Sequence, residues 1–183
     1  MRQADNQQHA GRDGRTHRLD DSQKPARRNS VSLDTWDAIP PTPGRFAQDR
    51  TARVIVLKEA GDQAFVPGAG ISQFETVCAS LESNAPYVAI GGEAGRRLLA
   101  CPKPTIAMIC GFCIGGGRAI AAGCAVRIAS ERARFGIPAA RLGLCYGASG
   151  VRKLMGLAGS SFTKEIFVTA RHVSAAEAGR RAG

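Results

Sequence analysis

An α/β fold with mostly parallel strand pairing is what this sequence predicts, and three observations predict it. Three short β-branched runs, at residues 53–58 (RVIVLK), 105–109 (TIAMI) and 126–130 (VRIAS), have the composition of buried strands. Helical patterns follow or separate them, at residues 93–100 just after Gly91 and Gly92, and at residues 116–124. No internal repeat interrupts this alternation, and a strand that alternates with a helix pairs most readily in parallel.

The remaining elements follow in chain order. Residues 1–23 are rich in Arg, Asp, Gln, Gly and His without apolar periodicity, the pattern of a disordered polar tail. Residues 28–39 (RNSVSLDTWDAI) read as a turn and a short helix, with Ser32 or Asp34 as N-cap and Trp36 and Ile39 on one face. Pro40, Pro41 and Pro43 then break it. After the third strand come helical patterns at residues 151–157, 162–169 and 174–181, the last opened by Ser174 and Glu177 at the spacing of a capping box. One domain over residues 24–183 is expected, because 183 residues with 44% hydrophobic content can bury one sizeable core.

Composition narrows the function classes. No run of about 18 apolar residues occurs, and the first 21 residues carry Asp5, Asp13, Asp20 and Asp21, unlike a secretory or transit leader. A cytoplasmic location without a membrane partner is expected. The formal charge of +10 favours a polyanionic partner, either a nucleic acid or the phosphates of a nucleotide-like ligand. An aromatic content of 5% and the absence of any helix-turn-helix, zinc-finger or RNP pattern argue against nucleic acid. The six cysteines lie in apolar or glycine-rich contexts, where free cysteine behaves as a small buried hydrophobe. Cys110 and Cys113 have Cys-x-x-Cys spacing, but no second pair completes a zinc site, so no metal is expected.

Two glycine-rich segments, at residues 65–71 (FVPGAGI) and 111–117 (GFCIGGG), follow two of the strands and read as turns that present free backbone N–H groups. Two such groups converging on one oxygen make an oxyanion hole, and the positive end of a helix starting near Gly117 adds to it. Either segment alone could equally be a tight turn that permits close packing. Neither matches the P-loop pattern, and residues 115–117 lack the Rossmann spacing.

Four segments in order resemble the crotonase, or enoyl-CoA hydratase/isomerase, superfamily: residues 24–31 (KPARRNSV), 64–72 (AFVPGAGIS), 103–109 (KPTIAMI) running into Gly115-Gly116-Gly117, and 133–138 (ARFGIP). The resemblance implies the ClpP/crotonase fold of repeated ββα units and an acyl-CoA thioester as substrate, with no other cofactor. By position, Ala69 and Gly116 match the family's backbone oxyanion-hole residues. Gly68, Gly70, Ile71, Ser72 and Gly115 fall in the matching substrate-pocket segments. Arg27 and Arg28 match the CoA-contacting turn, where they could meet phosphates or form a solvated basic turn.

The sequence also departs from the family. Ala119 and Ala139 stand where hydratases carry their two catalytic glutamates, and alanine can neither take nor give a proton. Gly70 and Ala125 replace acids, and Arg118 places a long cation beside the oxyanion turn. Tyr146 and Ser149, in a loop matching one that borders the family's pocket, are the nearest polar substitutes; ring packing and a turn serine are the plainer roles for them. His172 reads as a surface histidine. The family's trimeric or hexameric assembly is implied only weakly, since most of the C-terminal helices that form those contacts have no counterpart here. The expected function is an acyl-CoA-binding enzyme of the hydratase/isomerase type with hydration in doubt; the alternative is a non-catalytic acyl-CoA-binding or assembly subunit.

Overall fold

The structure is a computed structural model that describes residues 50, 52–58, 63–66, 92–93, 95–144 and 146–181. Among the described residues, seven strands form two sheets. β1 (Ile55–Leu57), β3 (Thr105–Ile109) and β5 (Val126–Ala129) make a parallel three-stranded sheet in the order β1-β3-β5. β2 (Ala64–Val66), β4 (Phe112–Ile114), β6 (Arg134–Gly136) and β7 (Val173–Ser174) make a second sheet in that order, parallel except for the β6–β7 pair. The helices are α1 (Gly116–Gly123), α2 (Ala139–Leu142), α3 (Ala148–Ala158), α4 (Ser160–Thr169) and α5 (Ala175–Arg181), with a further helical stretch at residues 95–99. The predicted α/β class is observed. The polar tail and the helix expected at residues 28–39 lie outside the described residues.

Strand alternation builds the first core. Ile55 and Leu57 point inward from β1, and Thr105, Ala107 and Ile109 from β3, so both strands present their odd-numbered residues to one face. Phe65, Leu98, Cys113 and the α1 residues Ile120 and Ala121 fill the space opposite. α1 suits its central place because GGRAIAAG is small on almost every side, which lets the helix approach β2 and β4 closely. At its C-terminus, where carbonyls lack intrahelical partners, the Arg127 guanidinium donates to the carbonyl oxygen of Cys124 at 2.7 Å.

Two sequence expectations need correction. The run at residues 126–130 forms a strand, but not a buried one. β5 is an edge strand exposed along its length, with Val126 and Ile128 at 46% and 55%. In register these two face the same side as Ile106 and Met108, the face turned away from the first core. The β-branched composition that predicts a strand does not distinguish a central position from an edge. The two glycine-rich segments are also not turns throughout, because the first opens with the last two residues of β2 and the second contains all of β4, strands that pair with each other in the second sheet.

The chain passes from the first sheet to the second at Gly111, between β3 and β4. Its φ is +67°, and a Cβ there would lie 1.9 Å from the carbonyl oxygen of Gln63, so only glycine fits. On either side of that contact, the Phe112 N–H donates to Gln63 at 3.1 Å and the Arg134 N–H donates to the Gly111 carbonyl at 3.0 Å.

A second core forms where α3, α4 and α5 meet the second sheet, around Ile137, Leu154, Phe162, Ile166 and Val173. Arg171 closes it, donating to Glu165 at 2.7 Å and to both carboxylate oxygens of Glu177. The capping box at the start of α5 is half formed. Ser174 Oγ accepts from the Glu177 N–H at 3.2 Å, while the Glu177 carboxylate turns to Arg171 rather than back to the cap.

Gly111→Ala is expected to lower stability by about 2 kcal/mol or more, through strain at positive φ and the clash with Gln63, read as a lower urea midpoint. An unchanged midpoint would show that the crossing can relax. The Arg171 bridge gives a pH dependence. Its hydrogen bonds hold the Glu177 carboxyl below the ordinary value near 4.5, so the stabilisation is present above that value and lost as pH falls through the depressed one. Wild type should therefore exceed Glu177→Gln in thermal stability at neutral pH and lose that advantage in acid; a constant difference across the acid range would contradict this.

Candidate functional site

The glycine-rich start of α1 is where the local sequence produces chemistry. Gly115 is buried and adopts φ +53° and ψ −112°, a conformation open to glycine that turns the chain sharply from β4 into the helix. Its N–H donates to the carbonyl of Gly136 on β6 at 3.0 Å, which ties the turn to the second sheet. No side chain caps α1 and its first turn contains no acid. The N–H groups of Gly116, Gly117 and Arg118 therefore stand at the positive end of the helix without a capping side chain from Gly115, suited to an oxygen that carries or develops negative charge.

Ala119 is the exposed side chain of this helix. It lies three residues beyond Gly116 and so on the same face, with a methyl group facing open space. Ala139, by contrast, is 5% exposed and packed into the second core at the start of α2. The two alanines thus occupy different environments: an open helix face in one case, an apolar cluster in the other.

Arg118 is the side chain whose state the sequence does not reveal. It is 8% exposed, its Nε is buried without a hydrogen-bond partner, and burial pushes its pKa down. Tyr146 and Cys113 are its electrostatic neighbours. Burial drives the Cys113 thiol up to about 12 and also raises the Tyr146 hydroxyl, so both are neutral at physiological pH and offer no counter-charge. The ring of Tyr146 packs edge-on against Phe167, with centroids 5.1 Å apart. Ser149 is exposed in the first turn of α3.

Of the other candidates, His172 is exposed with its ring 5.9 Å from that of Phe112, and Ala125 is exposed with its N–H bonded to Thr105 Oγ1 at 2.9 Å. Of the four described cysteines, Cys113 and Cys124 are buried thiols, with Cys124 raised to about 11, as expected of small hydrophobes, whereas Cys101 and Cys110 are only half-buried. Arg27, Arg28, Gly68, Ala69, Gly70, Ile71 and Ser72 lie outside the described residues. The structure therefore brings together Gly115, Gly116, Arg118 and Ala119 on one helix start, with Tyr146 in electrostatic reach.

Comparison with known proteins points one way. The chain is 34% identical to the short-chain-enoyl-CoA hydratase of Clostridium acetobutylicum over 85% of its length and 59% of that relative. It is 32% identical to the crotonyl-CoA hydratase of Syntrophomonas wolfei, over 86% of this chain and 60% of the relative. The solved structure of an enoyl-CoA hydratase/carnithine racemase from Magnetospirillum magneticum superposes with a TM-score of 0.85 at 30% identity, covering 91% of this chain and 61% of that one. The chain thus spans about 60% of the length of these relatives. The family model for enoyl-CoA hydratase/isomerase matches residues 22–182, so a crotonase fold carrying an uncapped glycine helix start identifies the chain as a member of the enoyl-CoA hydratase/isomerase family.

Proposed function

We propose that this chain is an acyl-CoA-binding enzyme of the hydratase/isomerase type that polarises a thioester carbonyl through backbone N–H groups, with Gly116 as one donor and Ala69 as the other. The observation that carries this reading is the uncapped first turn of α1, held in place by Gly115 and its bond to Gly136. A thioester carbonyl gains negative charge as an enolate forms beside it. Fixed N–H dipoles already aimed at that oxygen stabilise the charge without reorganisation. Acyl-CoA is also consistent with the +10 formal charge, which favours a phosphate-bearing ligand.

Proton handling is the weak part of the site. Neither Ala119 nor Ala139 can act as acid or base, and a lost positioned group costs about 10²- to 10⁴-fold in rate. Hydration by the two-glutamate route is therefore expected to be slow. The burial of Ala139 within an apolar cluster favours a second reading, in which the protein holds an acyl-CoA without turning it over.

Calorimetry with crotonyl-CoA, and free CoA as control, tests the reading. Binding that is tighter with the acyl group is expected, together with slow loss of the enoyl absorbance; binding without any turnover selects the non-catalytic reading. Gly116→Pro removes one donor at the first helical position, where proline is tolerated. It should leave the circular dichroism intact and weaken acyl-dependent binding by roughly two- to tenfold. Unaltered acyl-CoA affinity in this variant would remove Gly116 from the site.

A further inference from the structure

β5 closes one side of the first sheet, and its main chain is left open there. In the β3–β5 pair Ile109 lies in register with Ala129, and the Ser130 N–H donates to the Ile109 carbonyl at 2.9 Å. Parallel pairing turns alternate residues toward the neighbouring strand, so Ile128 directs its N–H and C=O to β3 while Arg127 and Ala129 hold theirs out on the open side. Among the described residues no strand pairs with that side. Open edges are ordinarily protected by proline, a bulge or a charged side chain standing over them. β5 has no proline, its register with β3 is unbroken, and its one charge is drawn aside: the Arg127 guanidinium donates to the carbonyl oxygens of Cys124 at 2.7 Å and Ala121 at 3.4 Å, at the end of α1. The outer face beside the edge is apolar, with Val126, Ile128 and Met108 exposed and Ile106 half-buried.

We propose that β5 is a docking edge for a second copy of this chain, paired antiparallel with the partner's β5 across a two-fold axis at Ile128. The strand's own residues select this partner and this register. With Ile128 opposite the partner's Ile128, Arg127 falls opposite the partner's Ala129 and Ala129 opposite the partner's Arg127, so each pair exchanges the main-chain hydrogen bonds that are free in the single chain. The two guanidiniums stay apart, whereas a pairing centred on Arg127 sets like charges face to face. The two isoleucines meet as a non-hydrogen-bonded pair, the kind whose side chains stand closest, on the same face as Val126 and Met108. The pairing removes the open edge from both copies and joins their apolar outer faces into one. Acyl-CoA binding has no part in it.

Sedimentation velocity on the full chain, from about 1 to about 300 µM, is expected to show a monomer passing into a dimer with a dissociation constant of roughly 10–100 µM, because an edge contact lies at the low end of interface size. Ile128→Lys sets two ammonium groups opposite each other and should raise that constant at least about tenfold, with the circular dichroism unchanged because the side chain is exposed. Ala129→Pro removes an outward N–H that the β3 pairing does not use, and should weaken the dimer in the same way. Cross-linking reads the register. Ile128→Cys should give a disulfide-linked dimer under mild oxidation, since the paired residues lie about 5 Å apart. Val126→Cys, nearly as exposed, stands about 13 Å from its counterpart in this register and should cross-link no more than wild type. A wild type that stays monomeric throughout the range overturns the proposal, as does an assembly that both Ile128→Lys and Ala129→Pro leave intact. Equal cross-linking of the two cysteine variants overturns the register, and the two-fold pairing with it.

Discussion

The close passage of Gly111 against the carbonyl of Gln63 is the contact on which the remaining architecture depends. Without a Cβ at that point, β3 can end in one sheet and β4 begin in the other within three residues. That short crossing sets where β4 ends, and the end of β4 sets where α1 begins. The first turn of α1 is therefore positioned by backbone geometry rather than by side-chain packing. Hydrogen bonds between main-chain atoms at Phe112, Arg134 and Gly115 repeat the same logic down the second sheet. A site assembled in this way depends little on the identity of the side chains around it, provided that the glycines remain.

α1 shows what that arrangement permits. Apart from Arg118 and Ile120 its residues are small, so it packs closely on β2 and β4 with nearly every face covered, and Ala119 is left as its exposed side chain. The open face and the buried face then have separate consequences. On the open side a methyl group occupies a place from which a longer acid would reach outward. On the buried side Arg118 introduces charge where the surroundings are a thiol and a phenol held neutral by burial. The local field is positive from two sources, the helix end and the guanidinium, and no described acid balances it.

The sequence made the larger elements legible. The strands at β1 and β3 and the helices α1, α3 and α4 follow from β-branched runs and apolar periodicity long enough to register. The strands β2, β4, β6 and β7 were not legible, because two or three residues cannot establish a period and their glycine-rich surroundings imitate turns. The exposure of β5 was hidden for a different reason, since edge and centre positions draw on the same residues. At the site, the glycine helix start could be read from the chain, and so could both alanines. What could not be read was that one alanine is open and the other enclosed, or that Arg118 is buried with its Nε lacking a hydrogen-bond partner. Those facts belong to tertiary contacts between residues far apart in sequence.

The hydrogen-bond donors at the start of α1 are peptide N–H groups, and this bears on how such a protein changes over evolutionary time. A catalytic carboxylate can be erased by one codon change with little harm to folding. A main-chain donor persists through every substitution except proline, and is lost only when the helix itself is lost. Chemistry and recognition are therefore inherited with unequal durability: a lineage can shed its proton-transfer groups quickly while its capacity to hold a carbonyl oxygen lasts as long as the fold. That asymmetry gives duplicated copies a ready starting point for new acid–base groups, or for service as carriers.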